Sequence, residues 1–291
     1  MIKKQTYLKN NKIANNLMSY IFDNIETDIN LDYLAHEFNI SKFYLHRIFK
    51  EQIGTTIYQT IKNIRLQKAS NILLTNKKST ITEISNMCGY SSQISFIRAF
   101  KQRFNQTPKY WRNGGYKEFS KELLKNIDID KSQKSYEALK QGLVKVKPRS
   151  AYYLRQKGFT KDYKNIWEKI SAWRYTNKIQ EYEQIGIYHD NPTITPLKDC
   201  DYVACIVPLN KNNIDTNLPI LEIQECLCIS FEVEASHYEI LRIIQWVYHE
   251  WLPNSGYEKT TIPTYMIYKS DNLTKKESLI QGTLHVPVQY I

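Results

Sequence analysis

The sequence is poor in residues that staple or punctuate a chain: five Cys, nine Gly and nine Pro among 291 residues. So few Cys, with no secretory signal, exclude a disulfide scaffold and suit reduced thiols in a cytoplasm. The low Gly and Pro content excludes collagen-like and Pro-rich chains. Long apolar runs are missing too. The longest, at 202–209, falls far short of the roughly 18–20 residues a membrane span needs. The opening MIKKQTYLKNNKIANN has charge but no apolar run behind it, so it does not read as a signal peptide. The expected location is the cytoplasm, with no membrane partner. What remains, 42% hydrophobic and 24% charged residues, is enough for ordinary cores, and the length suits two domains.

Acidic residues are scarce in one part only. Residues 1–115 hold 17 Lys+Arg and 7 Asp+Glu, a net +10. Residues 116–140 carry +1, and 141–291 balance at 17 of each sign. A basic excess confined to one segment is the footprint of a polyanion, although a solubilising surface also fits it. Gly114–Gly115 is a breaker, and the mixed-charge stretch to Gln141 reads as a connector, helical in part. The expected domains are therefore 1–113 and 142–291, with a linker at 114–141.

Residues 12–112 lack strand-like alternation and contain no Pro before Pro108. They read as helices and contain an internal repeat. Leu31, Leu34 and Ala35 match Ile81, Ile84 and Ser85 at an offset of fifty. Ser41, Leu45, Arg47, Phe49 and Lys50 match Ser92, Phe96, Arg98, Phe100 and Lys101 at fifty-one, the extra residue falling around Gly89–Ser91. Each copy reads as helix, tight turn, helix, with Ser41 or Ser92 capping the second helix. That is helix-turn-helix geometry, whose second helix enters the major groove. A long helix, Ile57–Leu74, separates the copies. This predicts two readers about 34 Å apart on one face of duplex DNA.

The segment resembles the DNA-binding domain of the AraC/XylS regulators. Gly89, Phe96, Phe100, Lys101, Phe104, Thr107, Pro108 and Tyr110 stand where that family expects its closing signature. The resemblance implies an all-α double helix-turn-helix domain and favours activation through contact with RNA polymerase, with repression as the alternative. The domain comes first here, as in the Rob-like branch. The faces opposite the apolar stripes carry the candidate base readers Phe43, His46 and Arg47 on one helix and Gln93, Ser95 and Arg98 on the other. Arg47 has the fork for guanine O6 and N7, Gln93 the amide for adenine N6 and N7, and Phe43 an apolar edge for a thymine methyl. His46 fits a base reader or a solvated residue equally. Phe43 stands where other members carry Trp. Lys42, Lys50, Lys101, Arg103 and Arg112 read as phosphate anchors or solvated charges.

From residue 141 the pattern changes to strands at 143–147, 150–156, 186–189, 201–209, 222–234, 264–269 and 279–288, with helices at 163–177 and 238–252. The order is βαββ twice, an α+β domain of two repeats. Tyr153–Gly158 matches Ser230–Ala235 before each helix, and Gly186–His189 matches Met266–Lys269 after it. Four of the five Trp lie here. WLPNSGYEKTTIPTYMIYKSD (251–271) and YLRQKGF (153–159) are similar to the GyrI-like effector-binding domain. The resemblance implies an aromatic cavity for a small lipophilic molecule, with Tyr153, Trp167, Tyr188, Trp246, Tyr265, Met266 and Tyr268 as candidate effector contacts. Many members place a buried Glu where Met266 stands, so a neutral or anionic ligand is open beside a cation; Glu232 and Glu234 are possible replacements. Some GyrI-like proteins are hydrolases that use that carboxylate, and its absence argues against an enzyme. Neither Cys226-x-Cys228 nor Cys200…Cys205 has zinc spacing, so neither a metal nor any other cofactor is expected. A rival reading is a constitutive activator whose second domain docks a partner.

Overall fold

The computed structural model describes residues 2–125, 136–158, 163–210, 214, 218–269, 273 and 279–290. It divides into two compact units, Met1–Gly115 and Tyr116–Ile291.

The first unit is helical: α1 (Ile2–Asp23), α2 (Leu31–Glu37), α3 (Lys42–Ile53), α4 (Ile57–Thr75), α5 (Ile81–Met87), α6 (Gln93–Phe104) and the short α7 (Pro108–Tyr110), which runs into a wide turn at Trp111–Gly115. α1 begins well before residue 12, because no Gly or Pro precedes Gly54 to stop it. The repeat is real in three dimensions. The side chains of Asn30 and Thr80 cap α2 and α5, and those of Ser41 and Ser92 cap α3 and α6. Leu45, Ile48, Phe49 and Ile53 of α3 join Ile13, Leu17 and Ile21 of α1 in one core. Phe96, Phe100, Phe104 and Trp111 form a ladder of ring contacts in the other half, with Phe104 and Trp111 centroids 4.6 Å apart. Gly89 has φ +72°, and a Cβ there would meet Ile25 O at 2.6 Å and the Arg65 guanidinium at 2.8 Å. Arg65 needs that space, since it donates to Ile25 O (3.0 Å) and Thr27 O (2.8 Å) and so ties α4 to the end of α1.

The second unit opens with α8 (Tyr116–Leu124), inside the stretch expected to connect the domains. This helix packs within the unit. Tyr116 Oη donates to His249 O, Lys117 pairs with Glu250 at 2.7 Å, and Gln245 donates to Ser120 Oγ at 2.9 Å. The rest of the connector, 126–135, lies outside the described residues. Next come β1 (Gln141–Val146), β2 (Arg149–Lys157), α9 (Tyr163–Thr176), β3 (Tyr182–Tyr188), β4 (Asp201–Pro208), β5 (Ile220–Ile223), β6 (Cys226–Ala235), α10 (His237–Trp246), β7 (Tyr257–Lys259), β8 (Thr264–Tyr268) and β9 (Ile280–Tyr290). The sheet is antiparallel in the order β1-β6-β9-β8-β3-β4-β2-β5, with β7 on the far end of β9. Two βαββ repeats, β2-α9-β3-β4 and β6-α10-β8-β9, thus meet at β3 and β8.

The expected strand 222–234 is two strands. Gln224–Glu225 breaks it, and β5 and β6 lie near opposite ends of the sheet. Lys147–Pro148 likewise separates β1 from β2 across the same span. Two-residue links can join those ends only if the sheet curls until they approach each other. One face carries α9 and α10, and its core includes Trp167, Tyr188, Tyr202, Phe231, Met266 and Tyr268. The inner face has its own core, including Tyr153, Ile185, Cys205, Cys226, Cys228 and Tyr265.

Candidate functional site

On α3 the apolar positions turn inward, so Lys42, Phe43, His46, Arg47 and Lys50 are exposed together. Phe43 is 78% exposed. Arg47 lies over the Tyr44 ring at 4.7 Å and 3.8 Å from Glu51, contacts that steady the guanidinium without burying it. Lys42 is 2.9 Å from Asp32, so one candidate anchor already has an anionic neighbour. On α6 Gln93, Ser95, Arg98 and Lys101 are exposed. Ser95 Oγ donates to Ser92 O at 2.8 Å beside the cap.

Ile94 went unnamed in the sequence reading, yet it is 75% exposed. It is the second residue of α6, as Phe43 is of α3. The signal was present in the repeat: Ile94 follows its cap by two residues, as Phe43 does. Arg112 is half-buried and donates to Ser79 O at 2.7 Å, which ties the wide turn to the α4–α5 link. Arg103 is half-buried over the Phe104 ring.

In the second unit the nominated contacts do not share one site. Trp167, Tyr188, Met266 and Tyr268 belong to the helix-covered face, and Trp246 packs against it. Tyr153 and Tyr265 lie on the inner face, because alternation along β2 and β8 turns them the other way. At the join of the repeats Gly186 sits opposite Met266. A Cβ on Gly186 would strike the Tyr202 hydroxyl at 2.3 Å and the Tyr268 hydroxyl at 2.7 Å. Those hydroxyls bond each other at 2.9 Å, and Trp167 Nε1 donates to Tyr202 Oη at 3.1 Å. Tyr188 and Tyr202 rings lie 5.5 Å apart, and Trp167 and Tyr268 5.3 Å. Tyr202 was missed, since nothing short of the β3–β4 register brings it to this cluster. Burial holds its phenol well above the ordinary range, so it stays neutral. Glu232 and Glu234 do not replace the missing carboxylate. Both are exposed, one paired with Lys140 at 3.1 Å and the other accepting from Gln281.

Comparison with known proteins agrees with this division. Residues 34–114 match a family described as a helix-turn-helix domain, and residues 143–289 match one described as a GyrI-like small molecule binding domain. The chain is 33% identical over 100 residues to the HTH-type transcriptional activator RhaS of Escherichia coli O139:H28, covering 34% of this chain and 36% of RhaS. It is 35% identical over 103 residues to an HTH-type transcriptional regulator of Pseudoalteromonas carrageenovora, covering 35% of this chain and 60% of that protein. The chain thus spans about a third to three fifths of the length of these relatives. Among solved structures, the EcmrR C-terminal domain aligns with 53% of this chain and 99% of its own, at 15% identity and a TM-score of 0.41. The DNA-binding domain of AdpA, solved with a target DNA, aligns with 36% of this chain and 94% of its own, at 16% identity and a TM-score of 0.33. Among the described residues no helix is long and apolar enough to cross a membrane.

Proposed function

The chain belongs to the GyrI-like small-molecule-binding family and carries an AraC-type helix-turn-helix domain ahead of that region, and on this premise we propose that it regulates transcription by reading duplex DNA under the control of a small effector. The observation that carries the reading is the pair of equivalently capped helices, α3 and α6, exposing Phe43, His46 and Arg47 on one and Gln93, Ile94 and Arg98 on the other. They stand on a segment of net charge +10. α3 and α6 enter adjacent major grooves, with Lys50 and Lys101 set against phosphates. The protein acts in the cytoplasm as an activator that contacts RNA polymerase, without turning over its ligand. The effector binds on the helix-covered face, at the join of the repeats. With Met266 opposite Gly186, the core of that face is polarizable and aromatic, which suits a neutral lipophile better than a cation.

A second reading is favoured by one observation. Trp167, Tyr202 and Tyr268 already satisfy one another, so the aromatic set is also consistent with a packed partner-docking module. Tryptophan fluorescence of the full chain, titrated with neutral lipophiles, lipophilic cations and anions, separates the two. Saturable quenching by neutral lipophiles that also changes affinity for a selected DNA site supports effector control. No response from any class, with DNA binding intact, supports the docking module.

A further inference from the structure

The inner face of the sheet holds reactive groups that neither the reading helices nor the aromatic set uses. Cys226 and Cys228 alternate along β6, and their Sγ atoms lie 3.4 Å apart. Cys228 Sγ is 3.7 Å from Tyr265 Oη, and the Tyr265 ring stacks on His285 at 5.0 Å. Lys259, at the end of β7, is buried, its Nζ donating to Thr260 O at 3.0 Å and to Ile262 O. Cys226 is the first residue of β6, directly after the Gln224–Glu225 link, and retains 8% exposure where Cys228 has 0%. Two thiols this close on one strand face do not suit a disulfide. Residues two apart on an extended strand have Cα atoms about 6.6 Å apart, near the upper limit for a bridge, so closure would bend β6. Nor, among the described residues, do three His, Cys, Asp or Glu side chains converge as a metal set.

The geometry points to Cys226 as a nucleophilic thiolate that captures small soft electrophiles, the α,β-unsaturated carbonyl compounds and quinones, as covalent adducts. Cys228 is the hydrogen-bond donor to that thiolate. In the addition, the Cys226 Sγ–carbon bond forms at the β carbon as the C=C π bond breaks. The electron pair passes through the enolate, and the α carbon takes a proton from water. No oxidant or reductant is consumed. The surrounding charges agree. The Cys228 hydrogen bond draws the Cys226 thiol below the ordinary thiol range despite its burial, while Cys228 itself is raised. Lys259, brought down by burial to about 7, attracts the thiolate, and the Tyr265 phenol stays neutral. Glu225 opposes the thiolate but is paired with Lys145 at 2.8 Å. His285, held down to about 4 mainly by burial, is neutral, and Arg149 near it is paired with Glu183 at 2.6 Å. The site lies on the opposite face from the aromatic set, so it goes beyond the effector reading and stands or falls without it.

The test is peptide mapping by mass spectrometry of the full chain after brief exposure to substoichiometric N-ethylmaleimide or 1,4-benzoquinone between pH 5.5 and 8.5. Cys226 should label at least about tenfold faster than Cys88, Cys200, Cys205 or Cys228, since thiolate fraction and access govern the rate. Its rate should climb with pH and level off below the ordinary thiol value. Cys226→Ala should abolish the fast label, and Cys228→Ala should move the levelling point upward with the circular dichroism unchanged. Equal labelling of all five cysteines, or a levelling point at the ordinary thiol value of about 8.5, overturns the assignment. If Cys228→Ala does not fold, the wild-type pH profile decides alone.

Discussion

At the scale of single residues, the clearest division is between side chains aimed outward and those drawn into the protein. Arg47 and Arg98 occupy matching positions of the repeat, and both are exposed. Arg112 is as basic as either, but Ser79 O holds its guanidinium. Arg47 and Arg112 therefore have different expected phenotypes. Arg47→Ala should cost about 1–3 kcal/mol at a selected site and relax preference at one base pair, read by binding to single-base variants of that site. Lys50→Ala should weaken all sites alike and lower the salt slope by about 0.9. Arg112→Ala should leave the salt slope unchanged and lower the thermal midpoint. On the proposed reading, the exposed Phe43 and Ile94 join the readers. Replacing either by Ala should reduce discrimination for thymine, because a thymine methyl is the apolar feature of the groove.

At the scale of elements, the helix-turn-helix copies differ in how they are fastened. α5 has a full capping box, with Thr80 Oγ1 accepting from Glu83 N and the Glu83 carboxylate accepting from Thr80 N at 2.6 Å. α2 relies on Asn30 alone, which accepts from Tyr33 N at 2.9 Å. Thr80→Ala should cost about 1 kcal/mol of stability. Gly89→Ala should cost more, since it adds a strained positive φ to a Cβ that meets both backbone and the Arg65 guanidinium. Thermal unfolding of the two variants side by side checks the order, and a Gly89→Ala protein as stable as the parent would contradict the account of Arg65. The helices and their caps were legible because periodicity and cap chemistry are local. The break at Gln224–Glu225 was not, since strand-forming residues run on both sides of it and only the structure gives them different partners, with the inward positions shifting from Leu221 and Ile223 to Cys226 and Cys228.

At the scale of the whole molecule, buried histidines make stability depend on pH. His249 and His285 are held down to about 4, and His189 is also held low, each first by burial. Unfolded histidines titrate near 6.5, so between that value and about 4 the unfolded chain binds more protons than the folded one. The stability these histidines contribute is therefore full above about 6.5 and is lost as pH falls towards 4. Asp201, raised by burial to about 6, works the other way over part of the window, but it is one group against three. Urea unfolding of the second unit's signal should show a lower midpoint at pH 4.5 than at pH 7. His249→Gln should flatten that difference. An unchanged midpoint would mean these rings are hydrated.

The sequence by itself determined the helical first unit, its doubled helix-turn-helix, its basic charge and the βαββ repeats of the second unit. Each rests on local spacing, cap residues or composition, which need no knowledge of distant partners. Only the tertiary structure decided which aromatic rings meet. Strand register put Tyr202 beside Tyr268 and turned Tyr153 and Tyr265 to the opposite face. Curling of the sheet enclosed Cys226 and Cys228 with Lys259 and Tyr265, on strands far apart in sequence. Side-chain alternation along a strand is written locally. The neighbour a strand receives is set by how the ends of the sheet close, and that depends on the whole chain at once.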